Sequence, residues 1–304
     1  MWTDLVTDHS LQLGDGRTVA WTQSGDPEGR PVLRVPGTPG CRWSVRADQQ
    51  PWLDRNLLMI TTERPGFGVS SPLPGRGFAE PAADIVAILD ELGIDRLPVY
   101  GSSGGAPHIL ALCAGHADRI SAATVLAGAA PLTDAEAEEV IPINRQARLL
   151  ALADDLQALR TMLGPIREAI VDDPLASFGD IMATAPPEDF EIMSDPVWQE
   201  AFVRATREAL SQGVKGWADE TMAMVNRWDD IDLAAIETPV LWRHAPHDRN
   251  VPAGAARRIV DALPNAQWQE WTDGGHLVAY HREGEVLDEL LERAGAALPG
   301  GAQS

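Results

Sequence analysis

Tyr100-Gly101-Ser102-Ser103-Gly104-Gly105 decides how this chain is read. An apolar run, Leu97 to Tyr100, leads into it as a buried strand would, and Ala106 to Ala114 leads out of it as a helix. Gly101 and Gly105 stand two residues before and two after Ser103, the spacing G-x-S-x-G. A strand that turns sharply into a helix holds its central serine in a strained backbone and lifts the hydroxyl over the helix N-terminus. The neighbouring backbones crowd there, so the flanking residues must lack a Cβ. Ser102 does not fit, because Tyr100 would have to be glycine. A plain glycine turn can share the spacing, and the strand–turn–helix setting is what points to a nucleophile.

The flanking sequence repeats that alternation. Leu5 to Leu13 and Arg17 to Ser24 enclose Gly14-Asp15-Gly16, a hairpin signal. Pro31 to Val35 and Leu57 to Thr62 are short apolar runs of the kind found in buried parallel strands, each followed by a Gly/Pro-rich loop. Ile85, Ile88, Leu89 and Leu92 form one helical face, opened by Pro81 and closed by Gly93. Ser121 to Leu126 is a further strand. Strand texture then vanishes until Pro239 to Arg243 and Ala266 to Trp271, which a helix around Ala255 to Leu263 separates. A last helix is expected from about Glu285 to Ala294. The pattern predicts a doubly wound α/β domain, residues 1–130 and 236–296, interrupted by a helical segment at 131–235, with 297–304 as a flexible tail.

At this point the chain resembles the α/β-hydrolase family. Members run nucleophile, acid, histidine in chain order. Here Trp271-Thr272-Asp273-Gly274-Gly275-His276 closes the last strand, and Leu241 to Asp248, then Asn250-Val251-Pro252, closes the one before. Glu63-Arg64-Pro65-Gly66-Phe67-Gly68-Val69-Ser70 is similar to the family's D-R-P-G-x-G-x-S loop, with Glu63 in place of Asp. The resemblance spans roughly residues 10 to 296. It implies a mostly parallel eight-stranded sheet flanked by helices, with the helical insertion as a cap. It also implies a triad of Ser103, Asp248 and His276, and an oxyanion hole from the backbone N–H groups of Gly104 and Thr38. Thr38 lies in Val35-Pro36-Gly37-Thr38-Pro39-Gly40, which resembles the family's H-G-x-P-G loop. Pro36 replaces the usual histidine, which puts the loop's shape in question but removes no donor.

These residue types suit acyl transfer. A serine hydroxyl needs a base to take its proton, an imidazole can both take it and return it, and a carboxylate fixes the imidazole's tautomer. Other histidines have plainer readings: packing for His108, a helix C-terminus for His116, strand-end positions for His244 and His247, and no motif for His9 and His281. His244-x-x-His247-Asp248 lacks a third ligand cluster, so no metal is expected, and no cofactor is called for. Asp134 and Asp273 are rival acids. Cys41 has no base partner in sequence and reads as packing, with site lining as the alternative. The insertion holds Met162, Met182, Met193, Met222 and Met224, expected mainly as helix packing, with pocket lining as the alternative. If the chain is an aminopeptidase similar to proline iminopeptidase, a carboxylate of the insertion, such as Glu138 or Glu139, must bind the substrate amine. A cofactor-free, haloperoxidase-like perhydrolase would share the triad. A non-catalytic ligand binder would share the fold, although such binders usually lose a triad member. A serine at position 103 disfavours dehalogenase and epoxide-hydrolase chemistry, whose relatives carry aspartate there.

Charge narrows the partners. Forty-five acidic against 24 basic residues give a net charge of −21, which repels phosphate backbones and anionic lipid. Nucleic acid and membrane are therefore not expected as partners, and a small-molecule acyl substrate is. Residues 131 to 235 hold 21 of the acidic and 8 of the basic residues, so the insertion carries most of the imbalance and reads as helices with a solvated acidic face. Two cysteines in 304 residues are too few for a disulfide framework, and the sequence starts without a signal-peptide pattern. Both point to the cytoplasm. The oligomeric state is not readable.

Overall fold

In the computed structural model, which describes residues 2–296, the eight strands form one sheet in the order β1-β2-β4-β3-β5-β6-β7-β8. The strands are β1 (Val6–Gln12), β2 (Thr18–Gly25), β3 (Arg30–Val35), β4 (Leu57–Thr62), β5 (Leu97–Ser102), β6 (Ile120–Leu126), β7 (Val240–His244) and β8 (Ala266–Glu270). The β1–β2 hairpin and the β2–β4 pair are antiparallel, and every other pair is parallel. This is the expected eight-stranded, mostly parallel α/β sheet. Its centre is covered on both faces, so β6 is buried at every residue, whereas the edge strand β1 is exposed along most of its length. Complete burial of a side chain such as Val99 contributes about 2 kcal/mol.

The helices are α1 (Gln50–Leu53), α2 (Ala79–Glu91), α3 (Ala106–Gly115), α4 (Asp134–Ala137), α5 (Pro142–Leu152), α6 (Leu156–Asp172), α7 (Pro174–Ile181), α8 (Pro187–Met193), α9 (Pro196–Ala209), α10 (Lys215–Asn226), α11 (Ala253–Ala262) and α12 (Glu283–Ala296). Helices α4 to α10 all lie between β6 and β7. The acidic excess of this stretch has a local cause in part. Asp155, Asp173 and Asp195 cap α6, α7 and α9 by accepting the backbone N–H groups of Ala158, Ala176 and Val197. Thr133 and Glu136 form a reciprocal capping box at α4. Not all the acidity is solvated, however, since Asp189 and Glu220 are fully buried. The expected flexible tail, 297–304, lies outside the described residues.

The sheet order reverses between β3 and β5, which lie side by side although β4 intervenes in sequence. Loops leaving adjacent strands there must diverge, and a crevice opens at the strands' C-terminal ends. The loop after β3 carries Thr38, and the turn after β5 carries Ser103. Asp248 and His276 follow β7 and β8, so all four come to the same edge of the sheet.

Candidate active site

Ser103 sits on the turn between β5 and α3 with φ of 51°, in the left-handed region that costs a non-glycine residue about 1–2 kcal/mol. Its neighbours explain the glycines. A Cβ on Gly101 would lie 2.2 Å from the carbonyl oxygen of Val35, and one on Gly104 would lie 2.2 Å from Thr38 Oγ1. The turn and the loop after β3 are therefore in close contact, and any side chain at either position would force them apart.

One cavity of about 320 Å³ is lined by Ser103, His276, Thr38 and Gly104 together. Asp248 approaches from behind, its Oδ2 2.8 Å from His276 Nδ1. Asp248 is held in turn, since its Oδ1 accepts the backbone N–H groups of Asn250 at 2.8 Å and Val251 at 3.0 Å. Burial disfavours the imidazolium of His276, but the Asp248 carboxylate outweighs it and raises the pKa above its ordinary value. Burial likewise opposes the Asp248 charge, and His276 overcomes it, keeping the carboxyl below its usual range.

The rival acids are engaged elsewhere. Asp134 is almost fully exposed and pairs with Arg148, while Asp273 pairs with Arg282. The buried His244 has its Nε2 3.0 Å from the carbonyl oxygen of Val251 and shapes the Asp248 turn. Cys41 is fully buried with its Sγ 3.4 Å from the carbonyl oxygen of Ala205, and burial pushes its thiol pKa up, so it packs and does not react. The methionines divide. Met182 and Met224 line the cavity, and Met224 packs against the core as Met162 and Met222 do.

Pro36 leaves the loop after β3 without the usual histidine, and a buried arginine holds it instead. Arg64 donates to the carbonyl oxygens of Pro36 at 2.6 Å and Gly37 at 2.7 Å, and to Thr38 Oγ1 at 3.1 Å. Arg64 in turn is paired at 2.8 Å with Glu220 of α10, which also binds Arg76 and accepts the Thr38 hydroxyl. Glu220 lies 3.7 Å from His108, whose pKa burial depresses to about 4, so this histidine is neutral. Burial opposes the Glu220 charge, yet the two guanidiniums hold its pKa well below the carboxylate range. Glu63 braces its own loop, accepting from Val69 N at 2.8 Å and Ser70 N at 2.9 Å and pairing with Arg42 at 2.7 Å. The α9–α10 turn docks onto that loop through Gln212, which donates to the carbonyl oxygens of Gly68 and Ser70, both at 2.8 Å.

Sequence reasoning missed Arg64 and Glu220 as parts of this site. A signal for Glu220 exists: Trp217, Glu220, Thr221 and Met224 fall at i, i+3, i+4 and i+7, so a carboxylate sits on an otherwise inward-facing stripe. Glu138, a candidate for amine binding, instead pairs with Arg145 at the surface.

Comparison with known proteins identifies the family and the fold. The family model for the alpha/beta hydrolase fold matches residues 30–282, and the chain belongs to that family. A proline iminopeptidase of Xanthomonas citri is 34% identical over 110 residues, 34% of each chain. One of Arabidopsis thaliana is 29% identical over 116 residues, 37% of this chain and 30% of that protein. The chain thus matches about a third of the length of these curated relatives. Among solved structures, a thermophilic esterase from Thermogutta terrifontis superposes with a TM-score of 0.66 at 20% identity, covering 95% of this chain and 99% of that one. Among the described residues no helix is long and apolar enough to cross a membrane.

Proposed function

We propose that the protein is a serine hydrolase of small or medium carboxylic esters, with a core of residues 1–130 and 236–296 and a helical cap of residues 131–235. The observation that carries this reading is the cavity that joins Ser103 and His276 to a largely apolar wall. Ile141, Leu163, Ile170, Phe178, Phe202 and Trp217 contribute to that wall, and no carboxylate is among the described residues lining it. An uncharged acyl group gains by entering such a space, whereas an aminoacyl ammonium loses hydration and meets no counter-charge.

In this reading Ser103 Oγ attacks the ester carbonyl carbon while His276 Nε2 takes the hydroxyl proton. Asp248 holds Nδ1–H and stabilises the imidazolium. The oxyanion accepts from the N–H groups of Thr38 and Gly104. Collapse breaks the C–O bond to the leaving group, which departs as an alcohol with the proton from His276. Water then repeats the sequence on the acyl-enzyme, releasing the carboxylic acid and restoring Ser103.

The names of the curated relatives favour a second reading, an aminopeptidase like proline iminopeptidase. A panel separates the two. p-Nitrophenyl butyrate and hexanoate should be hydrolysed with kcat/KM at least about 100-fold above prolyl p-nitroanilide, the size of discrimination that one or two apolar contacts provide. Faster turnover of the prolyl substrate would refute the esterase assignment. The pH profile gives an independent check. The base must be neutral to act, so kcat/KM should rise with pH in a single-proton step. Its midpoint should lie above the ordinary histidine value of about 6.5, because Asp248 stabilises the charged form.

A further inference from the structure

Asp189, in α8 of the inserted helices, is a carboxylate that neither the sequence motifs nor the triad accounts for. It is fully buried and sits 86 residues from the loop it touches. Its Oδ1 accepts the backbone N–H of Gly275 and that of Leu277, both at 3.2 Å. These are the two amides flanking His276. The contact is built on both sides. A Cβ on Gly275 would lie 2.6 Å from Asp189 Oδ2 and 2.7 Å from Pro186 Cδ, so only glycine lets α8 come this close. The other carboxylate oxygen, Oδ2, is buried with no hydrogen-bond partner among the described residues.

From this geometry we infer that Asp189 is a positioning residue, carried by the cap, that fixes the backbone of His276 and sets a carboxylate against the amides on either side of it. This rests on the proposed role of His276 as base. The division of labour is physical. Asp248 holds the ring through Nδ1, but a ring is only as well placed as the peptide that bears it. A loop of Gly-Gly-His has little stiffness of its own, and the grip of one carboxylate oxygen on its two amides supplies it. Burying a carboxylate against backbone dipoles alone is costly, and burial accordingly pushes the Asp189 pKa up despite the Leu277 amide and the His276 charge. Such a cost is offset when an imidazolium forms nearby during the reaction. Among the described residues, Asp248 contacts the His276 ring, Asp189 contacts the amides on either side of it, the buried His244 lies 4.0 Å from Asp248, and Arg148 lines the same cavity as His276. Because Asp189 belongs to the inserted helices, the base is set only when α8 is seated on the core.

Two substitutions separate grip from charge. Asp189→Asn keeps a carbonyl oxygen for the two amides and removes the charge, whereas Asp189→Ala removes both. Asp189→Ala should lower kcat on a p-nitrophenyl ester by roughly 10- to 100-fold with KM within about threefold, as expected for misplacement of a catalytic group. Asp189→Asn should recover most of that loss and move the acid limb of the pH profile to lower pH. The same downward shift should appear in the His276 ring-proton NMR titration, assigned by comparison with His276→Gln. A purely structural staple would leave that titration where it is in the wild type. An unchanged His276 titration in Asp189→Asn overturns the inference, and so does a wild-type kcat in Asp189→Ala. If Asp189→Ala does not fold, the Asp189→Asn titration decides alone. The titration needs no turnover, so it tests Asp189 even if the wild type fails to react with a fluorophosphonate probe, a failure that would instead remove the proposed hydrolase function.

Discussion

Ser103→Ala should abolish ester hydrolysis, lowering kcat by about 10⁴- to 10⁶-fold while leaving the fold and the affinity for an unreactive substrate analogue nearly unchanged. The hydroxyl is the only group removed; Thr38 also lines the cavity, but the carboxylate beside it, Glu220, is held by two guanidiniums and is too weak a base to activate a hydroxyl. Fluorophosphonate labelling of the wild type, absent in Ser103→Ala, measures the same point covalently. Persistent labelling or turnover in the variant would move the chemistry to another residue. The strained turn adds a second reading of the same position. Alanine keeps the cost of φ at 51°, whereas glycine relieves about 1–2 kcal/mol of it against about 0.5–1 kcal/mol of added chain entropy. Ser103→Gly should therefore melt no lower than Ser103→Ala, although it is equally inactive. A markedly lower Tm for the glycine variant would mean that the turn is not strained.

Glu220→Gln should be strongly destabilising. It leaves the buried guanidiniums of Arg64 and Arg76 without their shared counter-charge, a loss of about 3–5 kcal/mol. For a chain of this size that corresponds to a Tm lower by about 5–8 °C. Arg76→Met should cost less, because Glu220 still pairs with Arg64 and because Nε and Nη1 of Arg76 already lack partners among the described residues. The pH dependence carries a sign. The folded-state pKa of Glu220 is depressed, so its contribution is complete above the unfolded-state carboxylate value and is lost as pH falls through the folded-state one. The stability gap between wild type and variant should be constant near neutrality and narrow only in acid, below about pH 4. Activity should fall with it, in kcat more than in KM, since Glu220 and Arg64 together hold the peptides around Thr38. A Glu220→Gln protein as stable as the wild type would refute this account.

The fold and the triad candidates were legible in the sequence because each is specified locally. A buried strand, a glycine-flanked serine and a following helix impose one backbone path, and short apolar runs between helical faces impose a parallel sheet. Chain order then put Asp248 and His276 after the last two strands. What local sequence could not decide is how the inserted helices meet that machinery. Glu220 is 156 residues from Arg64, and Asp189 is 88 from Leu277. In its own helix Asp189 is an acidic residue of the first turn, a common dipole arrangement that nothing in the sequence marks out. Nothing in the sequence separates the surface carboxylate Glu138 from the buried Glu220.

Only packing distinguishes them. Burial turns an ordinary carboxylate into one that must find cations or amides, and which partners it finds depends on how α8 and α10 seat on the loops after β3, β4 and β8. Pro36 shows the same limit from the other side. Its sequence position put the shape of the loop after β3 in question, and the tertiary structure answers with the guanidinium of Arg64, because a loop's shape depends on which groups bond its carbonyls and not on the identity of one residue within it. Sequence by itself thus determined the path of the chain and the order of the proposed triad along it. Tertiary structure determined the long-range bonds that hold those groups still.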